Sequence, residues 1–262
     1  MARQARIVTV RTTQGAVAEI LISDPRTRNA LSTTVLHGIA ASVQELSASD
    51  ETRVIVLAGD GGTFSSGGNI KEDVPVQQVV SATVGVYEAI INSPKPILAR
   101  VEGNCLGLAV GLMAACDLAI AAQDTHFSLP EPRMGQAPTM ASFTIVPRLR
   151  PADANRLLLT ADAFDGDVAR EVGLVNASVP ASELGQEQQR WTDQLLQGGP
   201  GALAMCKKLV RTMAGADRAD ALELASDLTV ALAGSPEALE GKNAFLQRRA
   251  PAWTTSAVAN HL

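Results

Sequence analysis

The stretch VEGNCLGLAVGLMAACD, residues 101–117, places three glycines four residues apart in an almost entirely apolar segment. Residues four apart lie on one face of a helix, so Gly103, Gly107 and Gly111 predict a strip without side chains. Such a strip suits either a membrane helix that packs against a partner or a backbone that a ligand approaches closely. The apolar run ends at Asp117, well short of the ~20 residues that a membrane span needs. The segment therefore favours a ligand.

The composition excludes several classes of function. The chain has 262 residues, 46% hydrophobic and 19% charged, which is typical of one globular domain or of one domain with an appendage. A net charge of −5 without a basic run argues against a nucleic-acid partner. The first ten residues lack the apolar core of a secretory signal. Cys105, Cys116 and Cys206 form neither a disulfide framework nor a metal motif, and we expect buried thiols in a reducing cytoplasm.

Alternating strand and helix patterns in the first half of the chain predict an α/β core with crossover connections. Strands are expected at 6–12 and 16–23, as a hairpin across TTQG, and at 53–59, 95–101 and 117–122; helices are expected after Ser32, over 76–92 and within the glycine stretch. From Pro151 onward, runs rich in Ala, Leu, Glu and Gln predict a mainly helical second half, with helices over 181–197, 200–214 and 217–233. Because no low-complexity linker separates the halves, we expect the helical part to pack on the core.

Two glycine-rich segments each follow a predicted buried strand. They are FSSGGNIK (64–71) and GNCLGLAVG (103–111). Ligands of α/β proteins bind at the carboxyl ends of strands, so two bare segments there predict one shared site. One backbone N–H from each segment would bind a developing negative oxygen, aided by the positive end of a helix that starts near Leu108. Two tight turns with close helix packing are the alternative, and the glycines alone do not decide between them.

Other site motifs are incomplete. The segment GDGGTFSSGG lacks the Lys-Ser/Thr of a phosphate loop, and its glycines do not open a helix as a dinucleotide-binding motif requires. Its two serines do not fit the G-x-S-x-G turn of esterases. His37, His126 and His261 have no metal-ligand spacing, so no metal site is expected.

Six landmarks, in order, resemble the enoyl-CoA hydratase/isomerase (crotonase) superfamily over nearly the whole chain. They are DPRTRNALS (24–32), FSSGGNIKE (64–72), KPILARVEGNCLGLAVGLMAACDLAIAA (95–122), FSLPEPRMGQAP (127–138), EVGLVNASVP (171–180) and EGKNAFLQRRAPAW (240–253). The resemblance implies an α/β fold that is a crotonase-like spiral of repeated ββα units, with a core over 1–195 and a helical trimerisation region over 196–262. It also implies an enzyme that stabilises the enolate of an acyl-CoA thioester. Coenzyme A then enters as part of the substrate, with no permanently bound cofactor.

The resemblance assigns catalytic roles to particular residues. The amides of Gly68 and Leu108 match the family's oxyanion hole, and Glu131 matches one of the two glutamates that its hydratases usually carry. The other glutamate corresponds to Gly111, which has no side chain for proton transfer. Asn69 stands where the family commonly has an aspartate, so the charge of that carboxylate is missing.

Coenzyme contacts are implied as well. The positions that match the family's coenzyme-binding residues are Arg28, Asn29, Ser66, Gly68 and Ile70, with Phe245 and Arg248 of the tail reaching the coenzyme of a neighbouring subunit. A helix-cap turn at Asn29 and an ordinary amphipathic helix in the tail are the alternatives. Relatives assemble as trimers or dimers of trimers, and we expect a homotrimer or a dimer of trimers here.

Glu131 lies between Pro130 and Pro132 in an otherwise apolar neighbourhood. Partial desolvation should raise its pKa toward a range useful for a general base, and Arg133 should oppose that shift. The alternative is a glutamate that faces solvent, as charged loop residues usually do.

A single carboxylate suits a proton shuttle better than the addition of water, which requires both activation of the water and delivery of a proton to carbon. We expect an enoyl-CoA hydratase/isomerase-type reaction with Glu131 as the sole general acid/base. The alternatives are a Δ3-Δ2-enoyl-CoA isomerase, a branched unsaturated acyl-CoA hydratase and a decarboxylase. Glu72, Asp73 and Glu88 are candidates to replace the missing acid. A non-catalytic acyl-CoA binder and a thioester hydrolase are less favoured.

Overall fold

The N-terminal strands pair as a hairpin. The computed structural model describes residues 8–12, 16–213 and 215–255. Strands β1 (Val8–Thr12) and β2 (Val17–Ile22) are antiparallel, which confirms the predicted pairing. The predicted TTQG turn falls largely at 13–15, outside the described residues.

A six-stranded sheet forms the centre of the molecule, in the order β1-β2-β3-β4-β6-β8. Its remaining strands are β3 (Val54–Gly59), β4 (Ile97–Val101), β6 (Leu118–Ala122) and β8 (Ala177–Val179). Every neighbouring pair after β1-β2 is parallel. All six residues of β3 are buried. A parallel strand covered on both faces is apolar at every position, which explains why it appears in the sequence as a continuous apolar run.

A second, smaller layer of strands completes the repeated unit. Strands β5 (Asn104–Leu106) and β7 (His126–Ser128) pair in parallel, and Ser65 forms a parallel bridge to Cys105. Each of β3, β4 and β6 is thus followed by a short second strand or bridge and then by a helix. These helices are α2 (Val76–Asn92), α3 (Leu108–Ala115) and α4 (Thr139–Ile145). This is the repeated ββα arrangement that the resemblance implies.

Helix α1 (Thr33–Ala48) begins after Ser32, as predicted. The Ser32 hydroxyl accepts a hydrogen bond from the N–H of Val35 at 3.2 Å, which satisfies one of the free donors at the helix start. The residues that α1 buries are Val35, Leu36, Ile39, Ala40 and Val43.

The glycines of the opening stretch do not share one helix face, so that prediction is wrong. Gly103 and Gly107 precede α3 with φ of 62° and 51°, a region that other residues rarely adopt. The chain turns at these two positions, on either side of β5, before α3 begins. Only Gly111 of the three lies within α3. The glycines therefore serve turns at 103 and 107 and close helix packing at 111.

The second half of the chain is mainly helical, as predicted. Its helices are α5 (Pro151–Thr160), α6 (Gly166–Glu171), α7 (Leu184–Gln197), α8 (Pro200–Met213), α9 (Arg218–Ala233), α10 (Pro236–Gln247) and α11 (Ala252–Thr255). Two cations attach α8 to the core: Lys207 Nζ lies 2.8 Å and Arg211 Nη2 lies 2.9 Å from the carboxylate of Asp117, which follows α3. The expectation that the helical part packs on the core is confirmed for α8. A boundary at 195/196 would fall near the end of α7, and the trimerisation role of the region beyond it stays a prediction.

Two of the three cysteines are buried, as expected, but Cys206 is exposed on α8, so the expectation is wrong there. That face of α8 is open to solvent in the single chain. Within the described ranges, no helix is long and apolar enough to cross a membrane. In the same part of the chain, no group of three His, Cys, Asp or Glu side chains is placed to hold a metal ion.

Candidate active site

The loop after β3 presents a free backbone N–H at Gly68. Leu31 N–H donates to Gly67 O at 2.8 Å and Asn69 N–H donates to Leu31 O at 3.1 Å, so the main chain is fixed on both sides of Gly68. Among the described residues, no acceptor pairs with the N–H of Gly68 itself. Because Gly68 has no side chain, this donor is open to a ligand.

A second free N–H belongs to Leu108, the first residue of α3. Gly107 N–H donates to Ser128 O at 2.8 Å, and Val110 N–H donates to Gly107 O at 3.0 Å, which closes the first turn. The Leu108 N–H has no acceptor within the described chain. It also lies at the positive end of the helix dipole. A Cβ built on Gly68 would stand 3.9 Å from Leu108 Cβ and Cδ2, so the two donors belong to adjacent segments.

The Glu131 carboxyl lies against the backbone that precedes Leu108. Glu131 begins a 3₁₀ helix, Glu131–Met134, directly after Pro130. Its Oε1 stands 2.6 Å from the position that a Cβ on Gly107 would occupy. Its Oε2 is buried and has no hydrogen-bond partner among the described residues. The structure therefore brings Gly68, Leu108 and Glu131 together.

Burial raises the pKa of Glu131, because its charged form loses contact with water; a hydrogen bond from its own main chain partly offsets the shift. The direction and the main cause are those that the sequence predicts. The expected opposition from Arg133 is not found. Arg133 is exposed and pairs with Asp162 at 3.2 Å, so its charge is directed away from the carboxyl group.

The site has no room for a second carboxylate at residue 111. A Cβ on Gly111 would stand 2.6 Å from Ala141 Cα of α4 and would overlap the hydroxyl oxygen of Tyr87 from α2. Since main chain cannot yield as a flexible side chain does, any larger residue at 111 would displace α4.

Glu72, Asp73 and Glu88, the candidates to replace the missing acid, do not take the place of a carboxylate at residue 111. The carboxylate of Glu72 accepts hydrogen bonds from Thr33 N (2.9 Å) and Thr33 Oγ1 (2.6 Å), which occupies it at the start of α1. Asp73 and Glu88 are exposed. Tyr87 was missed by the sequence reasoning; the one available signal was that it is the single tyrosine of the chain.

Asn29, expected to contact the coenzyme, has a structural role. It is 1% exposed, its amide donates to Asp60 O (2.9 Å) and Thr63 O (2.8 Å), and its oxygen accepts from Asp24 N (2.8 Å). With both amide protons already used, the side chain has no donor to offer a coenzyme. Asn29 lies in a turn with φ of 59°, but the cap of the helix that follows is Ser32, so the helix-cap alternative is not what is observed. A contact between Asn29 and the coenzyme stays a prediction.

The neighbouring coenzyme candidates lie on one side of the glycine loop. Ser66 N–H donates to Arg28 O at 2.9 Å and Ser66 Oγ donates to Thr27 O at 2.8 Å, which joins the two segments. Arg28 is exposed, and Ile70 is 83% exposed. Phe245 is 82% exposed on α10, and Arg248 is exposed at the end of that helix. Within the described chain, no hydrogen bond or ion pair links Phe245 or Arg248 to Glu131.

The fold and these two glycine segments define a member of the enoyl-CoA hydratase/isomerase family. The chain belongs to that family, whose model matches residues 12–256. It is 30% identical over 250 residues to enoyl-CoA hydratase domain-containing protein 3, mitochondrial, of Mus musculus, covering 92% of this chain and 82% of that one. It is 28% identical over 248 residues to cyclohexa-1,5-dienecarbonyl-CoA hydratase of Thauera aromatica, covering 91% and 93%.

The solved structure of an enoyl-CoA hydratase from Mycobacterium smegmatis is similar over 95% of this chain and 99% of that one, with a TM-score of 0.89 and 26% identity. These comparisons confirm the family and the fold that the six landmarks predict.

Proposed function

We propose that this chain is an acyl-CoA-processing enzyme of the enoyl-CoA hydratase/isomerase type in which Gly68 and Leu108 bind the thioester oxygen and Glu131 moves the proton. The observation that carries the proposal is the contact of the Glu131 carboxyl with the Gly107 backbone, one residue before a free N–H. Similarity to the Thauera aromatica cyclohexa-1,5-dienecarbonyl-CoA hydratase supports the same substrate class.

The two amides and the carboxyl group have complementary tasks. When a proton leaves the carbon next to the thioester, its electron pair moves onto the carbonyl oxygen, where two N–H donors stabilise the negative charge. Each such donor contributes on the order of 10²–10³ in rate. The proton passes to the Glu131 carboxylate, whose raised pKa brings it closer to that of the carbon acid. Glu131 then returns the proton to the same carbon or to one two bonds away.

The proposed test incubates the protein with butyryl-CoA in deuterated water. Mass spectrometry then measures how fast the α-protons of butyryl-CoA exchange for deuterium. Glu131→Gln should reduce the exchange rate by about 10²–10⁴, the usual contribution of a general base, while butyryl-CoA binding changes little. Glu88→Gln is the matched control, because Glu88 is an exposed glutamate on α2 and should exchange like the wild type. Near-wild-type exchange by Glu131→Gln would refute the assignment. Release of free thiol would instead support a thioester hydrolase, and a wild type without exchange would support a binder.

A second carboxylate is absent from the described site, and this favours isomerisation as the second candidate. Water addition needs a group that holds the water as well as a base, whereas a double-bond shift needs the base alone. Incubation with crotonyl-CoA and with a 3-enoyl-CoA separates the two reactions, because the first is converted to a heavier hydroxyacyl product and the second is rearranged without a change in mass.

The helical C-terminal region is proposed to assemble the chain into a trimer or a dimer of trimers. Large apolar side chains there are open to solvent in the single chain; they include Val210 (74% exposed), Leu222 (72%), Val230 (76%), Phe245 (82%) and Leu246 (67%). Burial of such a surface in a partner interface is favourable. Assembly would also bring Phe245 and Arg248 to a neighbouring subunit's coenzyme, with Arg28 and Ser66 near the coenzyme of their own site. Light scattering should give a multiple of three chains, and a monomer at micromolar concentration would contradict this.

A further inference from the structure

Tyr87 connects three elements of the site. It lies on α2 and is 3% exposed. Its ring stacks on Phe143 of α4, with centroids 6.2 Å apart and planes inclined by 16°. Its hydroxyl oxygen rests on Gly111 of α3, where a side chain would otherwise stand. Packing of an aromatic ring explains the first contact but does not explain why the buried end of the ring carries a hydroxyl group.

That hydroxyl group has no partner of acceptable geometry among the described residues. Thr144 is near enough to lower the pKa of Tyr87 slightly. The hydroxyl group of Thr144 itself donates to Gly111 O at 2.8 Å. Burial raises the pKa of Tyr87, so the hydroxyl stays neutral and protonated. Buried polar atoms are nearly always hydrogen-bonded, and an exception is a candidate for a functional role.

A second oxygen without a partner lies against the backbone just before Gly111. Glu131 Oε2 is buried and unpaired in the described structure, and its carboxyl group contacts Gly107. Gly107 immediately precedes α3 and Gly111 lies within it. Two buried oxygens without partners, from Glu131 and Tyr87, therefore lie against one short segment of backbone.

We propose that Tyr87 holds the water that adds to the double bond of an enoyl-CoA, a task that Gly111 has no side chain to perform; this rests on the proposed function of the site. One O–H of the water points to the Glu131 carboxylate and the other to the Tyr87 oxygen, which directs a lone pair of the water to the β-carbon. The C–O bond forms as the first O–H breaks, its proton goes to Glu131, and the π electrons move to the thioester oxygen. Glu131 then gives that proton to the α-carbon. The Tyr87 hydroxyl group neither gains nor loses a proton in these steps.

The test compares two rates in the same variants. Tyr87→Phe keeps the ring and its stacking and removes only the hydroxyl group. Hydration of crotonyl-CoA should fall about tenfold or more, the effect of losing roughly one hydrogen bond, while α-proton exchange of butyryl-CoA stays within about threefold, since that step uses Glu131 without the water. The melting temperature should change little, because no hydrogen bond within the described chain is lost.

Thr83→Val is the matched control. Thr83 is buried one turn earlier on α2, and its hydroxyl donates to Val79 O at 2.8 Å. This variant should leave the ratio of hydration to exchange unchanged even if it lowers stability.

Equal loss of both rates in Tyr87→Phe, or no loss of hydration, would overturn the role of Tyr87. A wild type that exchanges α-protons but does not hydrate would also overturn it and would leave the proposed function standing. A wild type that does neither would refute both.

Discussion

Gly107→Ala tests whether the position of Glu131 depends on a missing side chain. The added Cβ would stand 2.6 Å from Glu131 Oε1, about 0.8 Å closer than the 3.4 Å of ordinary contact. The carboxyl group must therefore move by a distance of that order. A displacement of about 1 Å in a catalytic group costs on the order of 10²-fold in rate. We expect a loss of that size in α-proton exchange, with smaller changes in acyl-CoA binding.

The same substitution also strains the backbone, since Gly107 has φ of 51°. With ψ of −119°, Gly107 lies outside the left-handed helical region, and a side chain in that sparsely populated conformation costs about 1–3 kcal/mol, or roughly 2–12 °C in melting temperature for a chain of this size. Gly61→Ala is the control: φ is 72° there and an added Cβ meets nothing within 4 Å. It should lower the melting temperature without slowing exchange. Wild-type exchange by Gly107→Ala would refute the reasoning.

Two further predictions concern pH and the attachment of α8. Because the pKa of Glu131 is raised above 4.5, the rate of exchange should fall on the acid side with an apparent pKa above that value, and Glu131→Gln should abolish this limb. The folded chain also binds this proton more tightly than the unfolded chain, so the stabilisation is present below the unfolded pKa and is lost as pH rises through the folded one. Glu131→Gln should therefore gain stability relative to the wild type as pH rises from the ordinary glutamate value of about 4.3 through the raised folded pKa, and a constant difference in melting temperature would contradict this. Asp117→Asn leaves the largely buried Lys207 without its carboxylate and should lower the free energy of unfolding in denaturant by about 3 kcal/mol. The control Asp153→Asn breaks a partly exposed ion pair and should lower it by less than about 1 kcal/mol. Equal losses would contradict the attachment of α8 to the core through Asp117.

The regular elements of the core could be predicted because their signals are local. Helix α2 occupies the predicted range 76–92, and α1 begins after Ser32. The buried strands β3, β4 and β6 appear in the sequence as continuous apolar runs, since both of their faces are covered. Strands β5, β7 and β8 have three residues each, too few for a period to show. Their existence depends on partners far away in the chain.

The candidate site was predictable in part. The resemblance pointed to Glu131, and apolar residues near it in the sequence predicted its partial desolvation. The opposing effect expected from Arg133 failed because residues two apart in a 3₁₀ helix face different directions and Arg133 pairs with Asp162. The exposure of Cys206 and the hydrogen bonds of Asn29 depend on tertiary packing. Tyr87 lies 24 positions before Gly111 in the sequence, and only the packing of α2 on α3 brings them together.

A crystal structure of the chain with bound acyl-CoA tests the central claim most directly. We expect the thioester oxygen about 2.7–3.1 Å from both the Gly68 and Leu108 nitrogens, with the Glu131 carboxyl group beside the α-carbon. A thioester bound with its oxygen away from these two nitrogens, or with Glu131 turned toward solvent, would contradict the account.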